Sequence, residues 1–207
     1  MVERGARGWL VVASIGIASI AACGSSSDDD AGTGTGGGPA ATGGTSGGGS
    51  SATGGAGACD AGPLSAPIAG CQPAVVPDTG DFYADCVARI NQLRWDCQCL
   101  PPLARWTEAE ACADQQAEYD FNADSYHAGF TDGICSPGGS AQSECPGSRS
   151  LARVLESCLQ GMWDEGPGEP YSEHGHYINM TNSEYSRVGC GQYVTPSGEV
   201  WAVMNFD

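Results

Sequence analysis

The stretch GHYINMTNSEYSRVGCG, residues 175–191, decides how the rest of the chain is interpreted. It contains His176, and His174 stands two residues earlier. If this segment is a strand, the two histidines share one face, because strand side chains alternate with period two. Imidazole both ligates divalent ions and acts as a base. The pair alone therefore leaves a metal site, a catalytic base and a polar turn open.

The sequence that follows is typical of β structure. RVGCGQYV (187–194) and EVWAVMNF (199–206) are rich in residues that favour strands. Between them, Pro196 is followed two residues later by Gly198, which indicates a turn. We therefore predict a C-terminal β-hairpin.

Two helices are predicted well upstream of the hairpin. Apolar residues recur every three or four positions from Phe82 to Leu93, which places them on one helix face. The second helix should begin at Thr107, because Glu110 follows three residues later and completes a capping box. Because the helices precede the strands instead of alternating with them, the pattern favours an α+β fold.

A third helix is predicted from Leu151, after a segment without periodicity. Residues 124–149 show no regular pattern, and we predict a loop region there. The apolar stripe that starts at Leu151 continues to Glu165. A buried carboxylate at that position needs a partner, whereas a residue of the last turn that is rotated into solvent needs none. Spacing alone leaves both possibilities open.

At this point the chain resembles a known family. GHYINMTNSEYSRVGCG and VWAVMNFD (200–207) are similar to the signatures GHYxQMVWxxTxxVGCG and WYVVCNYD of the CAP superfamily (cysteine-rich secretory proteins, antigen 5 and pathogenesis-related 1). INQLRWDCQCLPPLARWTEAEACADQQAEY (90–119) is similar to an upstream element of the same family. The resemblance covers residues 81–207. It implies a three-layer α-β-α sandwich with a central antiparallel sheet.

The resemblance also implies a cleft with two histidines and two glutamates. His176 is the histidine of GHY, and Glu165, in MWDE, takes the place of the glutamate in the family's WxxE element. Glu144, in QSECPG, takes the place of the glutamate in GEN, and His127, in SYHAGF, lies in the region of the first histidine. These four residues are the predicted ligands of a divalent cation, zinc or magnesium, and the glutamates are also candidate catalytic residues. The resemblance leaves His174 as a neighbouring residue at the rim of the cleft.

The cysteines indicate export and disulfide bonds. Ten of the eleven cysteines follow Cys23, and an even number in an exported chain predicts up to five disulfides. Cys59–Cys71 and Cys135–Cys145 are candidate local bridges. The CQC triplet (97–99) does not have the spacing of a zinc-ribbon pair, so disulfides are favoured over a cysteine-ligated metal.

The N-terminal residues predict an exported, lipid-anchored protein. Residues 1–22 have the basic start and the short apolar run of a signal peptide. The sequence IAAC, which ends at Cys23, resembles a bacterial lipobox, whose cysteine is lipidated; the alternative is a plain signal peptide. Residues 24–58 are rich in glycine and serine and predict a disordered tether. Residues 59–80 are predicted to form a cysteine-containing linker to the domain at 81–207.

Several functions remain open after these observations. A net charge of −17 argues against binding to nucleic acid. We predict a protein of the bacterial cell envelope, periplasm-facing or at the cell surface, bound to the membrane through Cys23. Its domain is interpreted as a binding module with an unidentified ligand in the cleft. A metal-assisted hydrolase of the peptidase type and a lipid or sterol carrier are the alternatives, so the sequence leaves enzymatic activity open.

Overall fold

A computed structural model describes residues 59–75 and 78–207, so the predictions for residues 1–58, lipidated Cys23 among them, lie outside the described residues. The helices are α1 (Phe82–Gln98), α2 (Thr107–Ala123), α3 (Ala128–Asp132), α4 (Leu151–Arg153), α5 (Leu159–Asp164) and α6 (Tyr171–Thr181). The strands are β1 (Ala104–Arg105), β2 (Ala141–Ser148), β3 (Arg187–Val194) and β4 (Val200–Phe206). In this part of the chain no helix is long and apolar enough to cross a membrane.

The four strands form one sheet in the order β1, β3, β4, β2. β3 pairs antiparallel with β4, which confirms the predicted hairpin, and β4 pairs antiparallel with β2. The edge strand β1 has two residues and pairs parallel with β3. The sheet is therefore antiparallel as predicted, except for this short edge.

Successive residues of β4 face opposite layers of helices. The even-numbered residues from Val200 to Phe206 lie in a core built with residues of α1, α5 and α6. Trp201 and Val203 lie on the opposite face, where they pack with residues of α2. Both faces of the strand are buried along its whole length. The predicted α+β three-layer sandwich is confirmed.

The glycines of the VGCG sequence allow α2 to lie against β3. A Cβ at Gly191 would come within 2.3 Å of the Ala113 backbone, so only glycine permits this approach. Cys190 belongs to the core on the other face and is bonded to Cys86 of α1. The glycines of residues 189–191 therefore allow α2 to pack closely on one face of the sheet, and Cys190 links the other face to α1 by a disulfide.

The cysteines of the described residues form five disulfides, as predicted. The bonds are Cys59–Cys99, Cys71–Cys97, Cys86–Cys190, Cys112–Cys135 and Cys145–Cys158. The predicted local bridges Cys59–Cys71 and Cys135–Cys145 are wrong. Each cysteine of these pairs bonds instead to a cysteine of another segment, which the fold brings to a Cα–Cα distance of 5.2 to 6.1 Å.

The segment that we predicted as a linker is attached to α1. Its backbone N–H groups at Leu64 and Ile68 donate to the carbonyls of Gln98 (2.9 Å) and Cys97 (2.8 Å) at the end of that helix. Two disulfides join the same partners, Cys59–Cys99 and Cys71–Cys97. Residues 59–75 therefore pack as part of the folded unit.

Two local predictions are wrong. Residues 124–149 are not a loop region, because they contain α3 and β2, and β2 is defined by its pairing with β4. α2 does begin at Thr107, but no capping box forms. The Glu110 carboxylate binds Arg105 instead, at 2.5 Å.

The third predicted helix contains a wider turn. A π-helical segment, Val154–Cys158, joins α4 to α5. The Leu155 carbonyl accepts a hydrogen bond from Nε of the buried Arg89 at 3.2 Å, and Cys158 is bonded to Cys145 of β2. These two attachments fix the segment between α1 and the sheet.

Candidate functional site

A cavity of about 390 Å³ lies between α6, the turn before α3 and the start of β2, and we call it the cleft. Both His127 and His176 line it. The other lining residues are Phe130, Ser140, Ala141, Gln142, Tyr171, Ser172, Gly175 and Asn179. The fold thus brings together two histidines that are far apart in sequence.

His176 lies on a helix, so the strand face that we considered for His174 and His176 is wrong. Residues two apart on a helix do not share a face. His174 Nδ1 lies 2.8 Å from the Glu165 carbonyl oxygen and 2.9 Å from that of Gly166. His174 is therefore a partner of the end of α5, and it is not among the residues that line the cleft.

The Glu165 carboxylate orients His176. Its Oε1 lies 2.5 Å from His176 Nδ1, and its Oε2 accepts the backbone N–H groups of His176 (3.0 Å) and Tyr177 (3.3 Å). Glu165 directly follows α5, so the apolar stripe of that helix brings it to α6. The carboxylate is partnered, which answers the question that the helical spacing left open.

His127 is held by two residues of β2. It precedes α3 in a left-handed conformation, with φ of 57°. Its backbone N–H donates to Glu144 Oε2 at 2.9 Å, and its Nδ1 lies 2.7 Å from Gln142 Oε1. The Gln142 Nε2 donates to Gln116 and Asn205, which leaves Oε1 as the acceptor. Glu144 therefore positions the main chain of His127, and Gln142 positions its ring.

In both His127 and His176 the ring nitrogen Nδ1 is hydrogen-bonded to the protein. The Glu165 carboxylate and the Gln142 amide oxygen can only accept, so Nδ1 of each neutral histidine carries the proton. Nε2 of each ring is then an acceptor with a free lone pair. An oxygen acceptor on the second nitrogen is also what orients the histidines that ligate metal ions.

Glu144 is a buried carboxyl group with one unpartnered oxygen. It is 4% exposed, and its Oε1 has no hydrogen-bond partner among the described residues. Burial, reinforced by the nearby Asp120, raises the pKa of Glu144 to about 7, although the His127 N–H opposes this shift. Burial also raises the pKa of Asp120, whose Oδ1 accepts the Gly129 N–H at 2.6 Å. Two buried carboxyl groups, of Glu144 and Asp120, therefore accept hydrogen bonds from the backbone at and just after His127.

We expect Glu144→Gln to reduce the pH dependence of the free energy of unfolding between pH 4.5 and about 7. In this window the folded protein keeps a proton on Glu144 that the unfolded chain has released, so stability falls as the pH rises. The raised pKa corresponds to a loss of about 3 kcal/mol across the window. Urea denaturation of both proteins across this window measures the two slopes. Equal slopes would contradict the expectation.

The comparison with known proteins identifies the family of this chain. A family model described as "CAP: Cysteine-rich secretory protein family" matches residues 87–206, more than half of the chain. The chain belongs to the CAP family. This CAP chain is also similar to the crystal structure of Na-ASP-1, with 16% identity and a TM-score of 0.41, over 68% of this chain and 42% of that chain. This chain thus spans less than half of the length of Na-ASP-1. The search of curated proteins found no match to this chain.

The CAP cleft offers two imidazole donors to a metal ion. Within residues 59–75 and 78–207, no three His, Cys, Asp or Glu side chains are arranged to hold one. Of the four predicted ligands only the two histidines line the cleft, while Glu144 and Glu165 bind those histidines. Neutral imidazoles suit zinc, whereas magnesium prefers oxygen ligands. If a cation binds there, the imidazole donors would suit a zinc-like ion, with its remaining positions left to water or a ligand.

Three residues that line the CAP cleft or bind the backbone beside it were missed by the sequence analysis. Gln142 and Asp120 stand in no recognisable motif, so the sequence carried no signal for them. Asn179 was detectable, because it takes the place of the glutamine in the GHYxQM signature. Its Nδ2 donates to the Gln142 carbonyl and its Oδ1 accepts from the Tyr171 hydroxyl, both at 3.1 Å.

Proposed function

We propose that this CAP domain is the ligand-binding module of an exported, lipid-anchored protein of a bacterial cell envelope, and that its cleft holds a zinc-like cation on His127 and His176. The observation that carries the proposal is the pair of imidazoles that line one cavity while both Nδ1 atoms are engaged elsewhere. A bound zinc ion would supply a Lewis acid that attracts oxygen atoms of a ligand.

Export and anchoring have separate support. Five disulfides are typical of an extracellular or exported protein. The lipid anchor rests on the sequence of residues 1–58 alone, with its signal-like start and its lipobox-like end at Cys23. A lipid on that cysteine would hold the domain at a membrane through the Gly/Ser-rich tether.

The hydrolase hypothesis has less support than the binding module. A metal-assisted hydrolase needs a base that reaches water in the cleft. Neither Glu144 nor Glu165 lines the cavity, and the Glu165 oxygens already accept three hydrogen bonds. Ser143, beside Glu144, is fully buried and accepts from Asn179. The described cysteines are all in disulfides, which leaves no thiol nucleophile among them.

The carrier hypothesis is also less well supported. A lipid or sterol needs a long apolar groove, whereas His, Gln, Ser and Asn side chains are among the residues that line the cleft. The exposed large hydrophobic residues of the described part of the chain lie on several different elements. They are Ile68, Trp95, Tyr119, Tyr126, Tyr171 and Val194.

We expect the purified protein to bind zinc at neutral pH and His176→Ala to abolish that binding, because the site has only two protein ligands. Glu165→Gln should weaken binding by about 10- to 100-fold, since it removes the carboxylate that orients His176. Affinity should fall as the pH is lowered, because protonated imidazole cannot ligate. Isothermal titration calorimetry with zinc chloride measures all three effects.

The matched control is His174→Asn. The chain has three histidines, and His174 is the one outside the cleft lining. Asparagine keeps a donor near the position of Nδ1, so the contacts with the carbonyls of Glu165 and Gly166 can persist. This variant should bind zinc as the wild type does. Absence of zinc binding in the wild type, or equal affinity in His176→Ala, would refute the cation site.

A further inference from the structure

Tyr171 presents an exposed aromatic ring at the cleft. It is the first residue of α6, lines the cavity and is 55% exposed. A Cβ at Gly175 would lie 3.1 Å from a ring carbon, so the ring rests against the helix where the side chain is missing. Its hydroxyl donates to Asn179 Oδ1 at 3.1 Å. The ring is therefore held in place before any ligand arrives, which lowers the entropy cost of binding.

One hydrogen-bond network joins this ring to a cleft histidine. Asn179 is 4% exposed, and its Nδ2 donates to the Gln142 carbonyl oxygen at 3.1 Å. The side-chain oxygen of Gln142 contacts His127 Nδ1 at 2.7 Å. Tyr171 bonds to one of these two buried amides and His127 to the other, so the contact between the amides connects the ring to the histidine.

The nitrogen atoms that the two cleft histidines leave free are acceptors. With Nδ1 engaged, Nε2 of His127 and of His176 needs a donor from a ligand. The hydroxyl groups of Ser140 and Ser172 also line the cleft, and a hydroxyl both donates and accepts. A ligand rich in O–H groups satisfies this set, whereas a carboxylate or phosphate offers acceptors only.

The charge of the protein also favours a neutral ligand over an anionic one. The chain has no lysine and a net charge of −17. None of the six arginines among the described residues lines the cleft. Arg89 and Arg94 are buried, and three others pair with carboxylates, namely Arg105, Arg153 and Arg187. Anionic ligands are therefore repelled by the protein and meet no cation in the cleft.

An added peptide strand is disfavoured by the edge of the sheet. β2 is an edge strand, and such an edge is where an extended peptide pairs with a sheet. At the cleft, however, Asn179 already occupies the Gln142 carbonyl and contacts the Ser143 hydroxyl at 3.4 Å. The edge is covered at this point by α6.

We propose that the cleft binds a neutral, hydroxyl-rich saccharide, with the apolar face of a pyranose ring on Tyr171 and hydroxyl groups donating to Nε2 of His127 and His176. A volume of about 390 Å³ lies within the range of small-molecule sites. This inference rests on the cleft being the binding site of the proposed function, but it does not require the cation. A cation on the two Nε2 atoms would use the same lone pairs, so the cation and the saccharide hydroxyl groups are alternative partners of these nitrogens.

The test is calorimetric titration of the zinc-free protein with neutral tetrasaccharides of glucose and of N-acetylglucosamine. Tyr171→Ala should lower the affinity at least tenfold, and Tyr171→Phe should lower it less, because phenylalanine keeps the ring but loses the bond to Asn179. The matched control is Tyr126→Ala. Tyr126 is 65% exposed and contacts the Trp201 ring at 5.8 Å, and it does not line the cleft.

The possible outcomes separate this inference from the cation site. Saccharide binding that depends on Tyr171 supports the inference whether or not zinc binds. Failure of every neutral saccharide overturns it, and so does tighter binding of an oligogalacturonate or of a short peptide. Equal losses in Tyr171→Ala and Tyr126→Ala also overturn it.

Discussion

Removal of the Cys86–Cys190 disulfide, by replacing both cysteines with alanine, is expected to lower the free energy of unfolding by about 4 kcal/mol. This bond joins α1 to β3 across a sequence separation of 104 residues, the largest of the five. A cross-link over so long a loop removes much of the entropy of the unfolded chain. Cys112–Cys135 and Cys145–Cys158 lie inside the loop and shorten it, which reduces the effect slightly.

The measurement is urea denaturation of the oxidised protein, and the control is the double replacement of Cys145 and Cys158. That pair spans only 13 residues, so its removal should cost about 3 kcal/mol. The long-range variant should therefore be the less stable of the two. The opposite order would show that native packing around the sulfur atoms, and not loop length, determines what each bond contributes.

Arg94→Met is expected to destabilise the fold by about 3 kcal/mol. Arg94 is 2% exposed, and its guanidinium donates to the Met180 carbonyl and, through Nε (3.0 Å) and a terminal nitrogen (2.8 Å), to the Pro101 carbonyl. Burial lowers the pKa of Arg94 to about 10, so the group is charged at neutral pH. Methionine fills a similar space but removes the donors to the buried Met180 carbonyl and to the partly buried Pro101 carbonyl.

Two effects of opposite sign compete in this variant. Removal of a buried charge relieves the cost of its desolvation, and in some proteins this relief dominates. Here the Met180 carbonyl remains buried, so we expect the loss of its donor to outweigh that relief. Arg94→Lys, which keeps the charge but not the fork of donors, should lose less stability than Arg94→Met. A methionine variant as stable as the wild type would mean that desolvation decides the balance.

Because Met180 lies in α6, Arg94 also bears on the cleft. α6 carries His176, Tyr171 and Asn179. The bond from Arg94 to the Met180 carbonyl ties the last turns of this helix to α1. The stability of the core and the position of the cleft residues therefore depend on the same buried contact.

Elements whose signal is local were predictable from the sequence. The strand predicted at residues 187–194 matches β3, and α2 begins at Thr107 as expected. β2 was not predictable, because the sequence AQSECPGS does not alternate and contains Pro146 and Gly147. Its conformation is set by pairing with β4, where Ala141 lies opposite Phe206.

Part of the candidate site was predictable as well. His176 and Glu165 were identified from the family signature, and helical spacing brought Glu165 to an inner face. Helical spacing could not reveal that the Glu165 carboxylate accepts from His176 Nδ1. It does not join Glu144 as a ligand in the cleft. Gln142 was invisible, because it becomes a partner of His127 only once β2 is in the sheet.

The sequence by itself determined the class of fold, the number of disulfides and the residues from which a cleft could be built. These conclusions depend on the periodicity of apolar residues, on composition and on the number of cysteines, all of which can be read along the chain without knowing the tertiary structure. Only the tertiary structure decided which cysteines pair, which face of α6 meets the sheet and which nitrogen of each histidine is free. Those outcomes depend on distances between elements far apart in sequence, and such distances exist only after the helical layers have packed on the sheet.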